Sequence, residues 1–127
     1  MKVKVIAEIG INHNGSVELA KKLIDAAALS GCDYVKFQKR NPDVCVPEEQ
    51  KGKMRKTPWG EMKYIDYKKK IEFEKKEYDE IFKYCDDKGI GCFASVWDND
   101  SVDFMKQYGD ITKIPSALIT DLDLCKK

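Results

Sequence analysis

The sequence has a single histidine, His13, and no C-x-x-C pair among its five cysteines (Cys32, Cys45, Cys85, Cys92 and Cys125). One histidine and scattered thiols give no zinc-ligand spacing, and an odd set of cysteines gives no disulfide framework. The cysteines read instead as small, half-buried hydrophobes of a reducing, cytoplasmic protein. An excess of one charge is missing too: 23 Lys/Arg against 22 Asp/Glu leave a formal +1. That balance removes the electrostatic argument for a nucleic-acid or membrane-surface protein. No apolar run approaches the ~20 residues of a membrane span. Met1 to Ile9 alternates lysine with aliphatic residues and then meets Glu8, which is not a signal-peptide pattern.

What is present is a globular composition, 43% apolar and 35% charged over 127 residues, enough for one domain with one core. Val3 to Ile9 is β-branched and apolar, as a buried parallel strand requires. Asn12-His13-Asn14-Gly15 is a turn, with Ser16 as N-cap of a helix carrying Ala20, Leu23, Ile24 and Ala27 up to Gly31. Tyr34 to Phe37 is a second strand. Lys39 to about Thr57 loses all periodicity and predicts a long loop, a kind that often carries function. A bent or interrupted helical stretch is predicted over about Glu61 to Lys88, with Tyr78, Ile81, Phe82 and Cys85 on one face. Ile90 to Val96 is a third strand. Asp98 or Asn99 caps the next helix, Ile111 to Ile114 is a fourth strand, and Thr120 or Asp121 opens a last helix. Strict β-α alternation predicts a parallel sheet with right-handed crossovers. Two architectures fit: a small doubly wound sheet, or the first four βα units of an eight-stranded barrel, whose typical length is ~250 residues. In both, sites lie at the C-terminal ends of the strands.

Lys36 and Lys113 stand inside otherwise apolar strands. A lysine aimed into a sheet core is costly unless it meets an anion or loses its proton. Either stem can snorkel to the sheet rim. Two lysines at equivalent positions on alternate strands favour a shared phosphate or carboxylate, or a desolvated amine that forms a Schiff base. Glu8, between Ala7 and Ile9, is either an ion-pair partner of one lysine or a general acid/base. Ser95 and Ser116 end the third and fourth strands, where hydroxyls serve as turn formers or as phosphate donors beside lysine. His13, alone in a polar turn, reads as a hydrogen-bonding loop residue. Lys51 to Glu77, with ten Lys/Arg against five Asp/Glu, reads as a solvated face.

Three segments, Ala7-Glu8-Ile9-Gly10-Ile11-Asn12-His13-Asn14-Gly15-Ser16, Val35-Lys36-Phe37-Gln38 and Lys113-Ile114-Pro115-Ser116, together resemble the N-acetylneuraminate (sialic acid) synthase family. The resemblance spans essentially the whole chain and implies a (β/α)8 TIM-barrel type fold, of which residues 1–127 are the N-terminal half. It implies condensation of phosphoenolpyruvate with an N-acetylated hexose such as N-acetylmannosamine, giving a nine-carbon ulosonic acid and phosphate. Carried over by position, Lys36, Lys113 and Ser116 hold phosphoenolpyruvate, with Ser95 beside them. Glu8 contacts the sugar and assists proton transfer, while Asn12, His13 and Gln38 shape the pocket. A divalent metal, Mn or Mg, is implied as cofactor, with its histidine ligands on later strands.

Two positions depart from the family pattern. Ala117-Leu118 follow Ser116 where the family has Gly-Glu, and Ser95-Val96-Trp97 replaces Ser-Thr-Pro, so a phosphate-binding threonine is missing. With no metal histidines and no C-terminal antifreeze-like domain, the chain is expected to be truncated and inactive alone. It is further expected to pair as a homo-oligomer or with a complementary half. The alternatives are a lysine Schiff-base aldolase, or a non-catalytic remnant that binds a phosphorylated ligand or partner chain.

Overall fold

The computed structural model describes residues 2–127. The β-branched start becomes β1 (Ile6–Gly10), followed by α1 (Val17–Leu29) and β2 (Tyr34–Lys39). Ser16 caps α1 through its side chain, which accepts from the Leu19 N–H. β1 starts three residues later than the sequence predicts, and Val3 and Val5 lie exposed outside the paired register.

The predicted long loop and early helix are corrected. Two short helices, α2 (Pro42–Cys45) and α3 (Glu48–Lys51), precede an antiparallel hairpin of β3 (Met54–Thr57) and β4 (Gly60–Lys63). The Thr57-Pro58-Trp59-Gly60 turn closes it: Thr57 Oγ1 donates to the Gly60 carbonyl and accepts from the Trp59 N–H. This hairpin lies outside the main sheet, so its strands show no buried apolar alternation to betray them. Helix α4 (Tyr64–Ile71) follows and stops at Glu72. α5 (Lys75–Lys88) opens on a Glu74–Glu77 capping box and ends at Gly89 with φ 68°.

β5 (Gly91–Val96), α6 (Asn99–Met105), the two-residue β6 (Thr112–Lys113) and α7 (Leu122–Lys126) complete the chain. Asp98 and Asp121 cap the last two helices. The main sheet is parallel, in the order β1-β2-β5-β6, as β-α alternation requires.

Strand alternation divides this sheet into two chemically different faces. Ile9, Val35, Phe37, Ala94 and Val96 point to the helices and form one core with Ala20, Ile24, Tyr78, Ile81 and Cys85. Phe37 is fully buried, and burial of a side chain of this size contributes about 1.5–3 kcal/mol. The register partners on the other face are Glu8 with Lys36, Lys36 with Phe93, Gln38 with Ser95, and Ser95 with Lys113. The core contains no residue from that second face.

Candidate functional site

The second face collects five of the residues selected from sequence. Lys36 is 5% exposed; its Nζ lies 2.6 Å from Glu8 Oε2 and donates to Ser95 Oγ at 2.7 Å. Glu8 remains half exposed, so this is an ion pair with one buried and one accessible member. Gly10 makes room for it. A β-bulge falls between Glu8 and Gly10, Gly10 has φ 57°, and a Cβ there would stand 3.1 Å from Glu8 Oε1. Gln38 lines the same opening, its amide nitrogen 3.4 Å from that Cβ position.

Lys113 differs from its expected setting. The sequence places it inside an apolar strand, but β6 is an exposed two-residue edge and Lys113 is exposed with it. The register still sets it level with Ser95, on the Lys36 face. Ser116 is exposed at the start of the 3-10 turn Ser116–Leu118, and Asn12 is exposed in the turn after β1.

His13 turns away from this face into the core. Its ring stacks on Phe73 at 3.9 Å and its Nδ1 accepts from the Gly15 N–H. Burial lowers its pKa to about 4, which keeps the ring neutral at pH 7. Gly15 itself has φ 73°, and a Cβ there would lie 2.4 Å from the Lys70 carbonyl, so the turn packs directly on the end of α4.

The sequence reading did not single out a second polar cluster just beyond the end of β2. Arg40 stacks on Trp97 at 4.4 Å, donates from Nη2 to Gln38 Oε1 at 2.6 Å, and gives its backbone N–H to Glu72 Oε1. Lys39 faces the helices, donating to the Phe73 carbonyl and lying within 3.5 Å of Glu72 and Glu74. Burial pushes Glu72 up to about 7 despite these neighbours. A cleft of about 490 Å³ opens here, lined by Arg40, Asn41, Lys69, Glu72, Glu74 and Asp100. The polar junctions Gln38-Lys39-Arg40 and Ser95 to Asp98 mark the place in the sequence, but only tertiary contact joins them. Burial, then its bond to Asp98, pushes the Cys45 thiol up to about 12, which disfavours the thiolate at neutral pH. Among the described residues no group of three or more His, Cys, Asp or Glu is placed to hold a metal ion. Among the described residues no helix is long and apolar enough to cross a membrane.

The sequence model of the NeuB family matches residues 23–127. The chain belongs to the NeuB family. Its relatives include the N,N'-diacetyllegionaminic acid synthase of Campylobacter jejuni, 37% identical across 99% of this chain and 39% of that protein. The N-acetylneuraminate-9-phosphate synthase of Drosophila melanogaster is 34% identical across 98% of this chain and 34% of its own length. The fold is shared as well. The crystal structure of the sialic acid synthetase of Leptospira borgpetersenii superposes with a TM-score of 0.82 at 30% identity, covering 98% of this chain and 40% of that one. This NeuB-family chain therefore spans between about a third and two fifths of the length of these three relatives. The relatives are sialic, legionaminic and pseudaminic acid synthases, so the family is one of nonulosonic acid synthases.

Proposed function

We propose that this chain carries the phosphoenolpyruvate-binding face of a nonulosonic acid synthase, which condenses phosphoenolpyruvate with an N-acetylated hexose and releases phosphate. The observation that carries this reading is the Glu8–Lys36–Ser95 constellation on the face turned away from the helices. Lys36 Nζ sits between a carboxylate and a hydroxyl oxygen, the setting of a hydrogen-bond-donating ammonium. A multiply charged enol phosphate entering here takes the place of Glu8 on Lys36 and gains Lys113 from the neighbouring edge strand. Ser95 and Ser116 add hydroxyl donors. The displaced Glu8 is left beside Gln38, where it holds or passes a proton on the sugar side. His13, neutral and buried, shapes the pocket from behind by fixing the Asn12–Gly15 turn.

The sheet is proposed to be four strands of a (β/α)8 barrel, with the Lys36 face as the interior. Support comes from a core confined to the opposite face and from β1 and β6 standing at the ends of the sheet order. Pairing of these edges with a second copy or a complementary chain follows from that reading. A divalent metal belongs to the proposed reaction, but the residues described do not make a site for it. No step is routed through it.

Calorimetric titration of the chain with phosphoenolpyruvate tests the assignment. Lys36→Met is expected to weaken binding by about a hundredfold, the scale of a lost charge-assisted contact. Equal affinity in the variant and the parent would remove Lys36 from the site.

A further inference from the structure

The near-neutral total hides an uneven distribution of charge. Residues 53–70, the β3–β4 hairpin and most of α4, hold seven Lys/Arg against two Asp/Glu, which leaves 16 against 20 for the rest of the chain. Among the described residues, Lys69 alone of these seven cations enters an ion pair, with Asp43. Lys53, Lys56 and Lys63 are exposed. The other three lie on aromatic rings: Arg55 stands 5.4 Å from the Tyr64 ring centre, Lys68 5.2 Å from that of Tyr64, and Lys70 4.5 Å from that of Trp59.

Elsewhere in the chain, ring contact has a different setting. Lys21, Lys39, Lys75 and Lys88 also lie over rings, but each is paired with a carboxylate as well. A carboxylate cancels the field of a lysine at a distance. A ring carries no net charge, so it fixes an exposed cation by about 0.5–1 kcal/mol and leaves the field standing. Arg55 and Lys70, both exposed, are therefore held in place without being neutralised.

Position shows what this field acts on. Trp59, at the tip of the hairpin, meets Tyr67 and Lys70, so the ribbon folds back along α4 towards the end of that helix. That end is fixed beside the C-terminal ends of β1 and β2. The Lys70 carbonyl packs on Gly15, in the turn after β1, and Glu72 accepts from the Arg40 N–H, just beyond β2. Helix α4 is about 12 Å long. The Debye length is about 30 Å at ~0.01 M ionic strength and about 10 Å at ~0.1 M, so these cations act on the strand ends from a distance. Resting on the function proposed above, we infer that the hairpin and α4 form an electrostatic guide. Their unneutralised cations draw the multiply charged enol phosphate towards Lys36 and make no contact with it once it is bound.

The test measures association and dissociation of phosphoenolpyruvate from phosphorus NMR line shapes. A triple variant, Arg55→Gln with Lys56→Gln and Lys70→Gln, is compared with a charge-matched control, Lys4→Gln with Lys83→Gln and Lys88→Gln. The control positions lie ahead of β1 and in the last turns of α5, at the opposite ends of the strands. At ~0.01 M ionic strength, association should slow about tenfold in the first variant and less than about twofold in the control, with dissociation unchanged in both. At ~0.1 M the tenfold effect should shrink to about threefold or less. Equal slowing in both variants overturns the inference, because net charge alone would then suffice. Faster dissociation at unchanged association overturns it too, by making these side chains direct contacts. A second readout needs no phosphoenolpyruvate. In a Trp97→Phe background, Trp59 reports the local potential through the ratio of iodide to acrylamide quenching of its fluorescence. The triple substitution should lower that ratio about twofold or more at low salt; an unchanged ratio overturns the inference. Should phosphoenolpyruvate fail to bind the parent chain, the function proposed above falls, while the quenching ratio still decides whether the hairpin attracts anions.

Discussion

Phe37 faces the helices and Lys36, one residue earlier on the same strand, faces away from them. Phe37 packs at 6.4 Å from Tyr78 and 5.8 Å from His13 in an apolar layer. Lys36 meets a carboxylate and a hydroxyl. The first face holds the domain together; the second carries the chemistry proposed for it. Because strand side chains alternate, the two duties fall on adjacent residues without competing for the same space. The difference teaches that damage to one face should leave the other largely intact.

The strongest way to break that separation is Phe37→Ala. It should destabilise the domain by about 3–5 kcal/mol in urea denaturation, through lost burial and the cavity left beneath Tyr78. If the loss were under about 1 kcal/mol, the helix-facing layer would not be the core.

The next effect is electrostatic. His13 has a folded pKa of about 4 against 6.5 in the unfolded chain, so its contribution is complete above pH 6.5 and is lost as the pH falls towards 4. The full shift is worth roughly 3 kcal/mol. Glu72, raised from 4.5 to about 7, behaves in the opposite sense: its contribution is present below pH 4.5 and is lost as the pH rises through 7. The two slopes oppose one another between pH 4.5 and 6.5. Glu72→Gln should therefore expose the histidine: stability near pH 7 should rise relative to the parent, and its fall towards pH 4 should steepen. An unchanged pH profile of denaturation midpoints in the variant would show that Glu72 does not titrate as described.

Lys36→Met sharpens the comparison from the other side. Its stem is retained, its charged partner Glu8 is half exposed, and no buried charge is left alone. Stability should stay within about 1 kcal/mol of the parent while phosphoenolpyruvate binding weakens by about a hundredfold. The smallest effect belongs to the helix surface. Lys83→Ala removes an exposed i,i+4 pair with Asp87 and should cost about 0.3–0.5 kcal/mol, which thermal denaturation at low and high salt would resolve.

Much of this was legible beforehand. Four β-branched or apolar segments separated by helical periodicity are a parallel sheet in any reading, and Ser16, Asp98 and Gly89 mark helix ends by their own side chains or lack of one. Glu8, Lys36 and Ser95 could be selected because charge and hydroxyl stand out in apolar strands. The hairpin of residues 54–63 was hidden, since a ribbon outside the core need not alternate apolar and polar residues. Lys113 looked buried because Ile111 and Ile114 flank it, whereas an edge strand of two residues leaves it in water.

Residue type and spacing alone determined the layering, the helix caps, the polar strand ends and the family this chain belongs to, because each is written in a local pattern of period 2 or 3.6. Tertiary structure decided that Glu8 pairs with Lys36, that His13 leaves the polar turn for the core, and that Arg40 meets Trp97 across 57 residues of sequence. Such pairings depend on register and on the bulge in β1. These follow from the packing of the whole sheet against its helices, which no short stretch of sequence specifies.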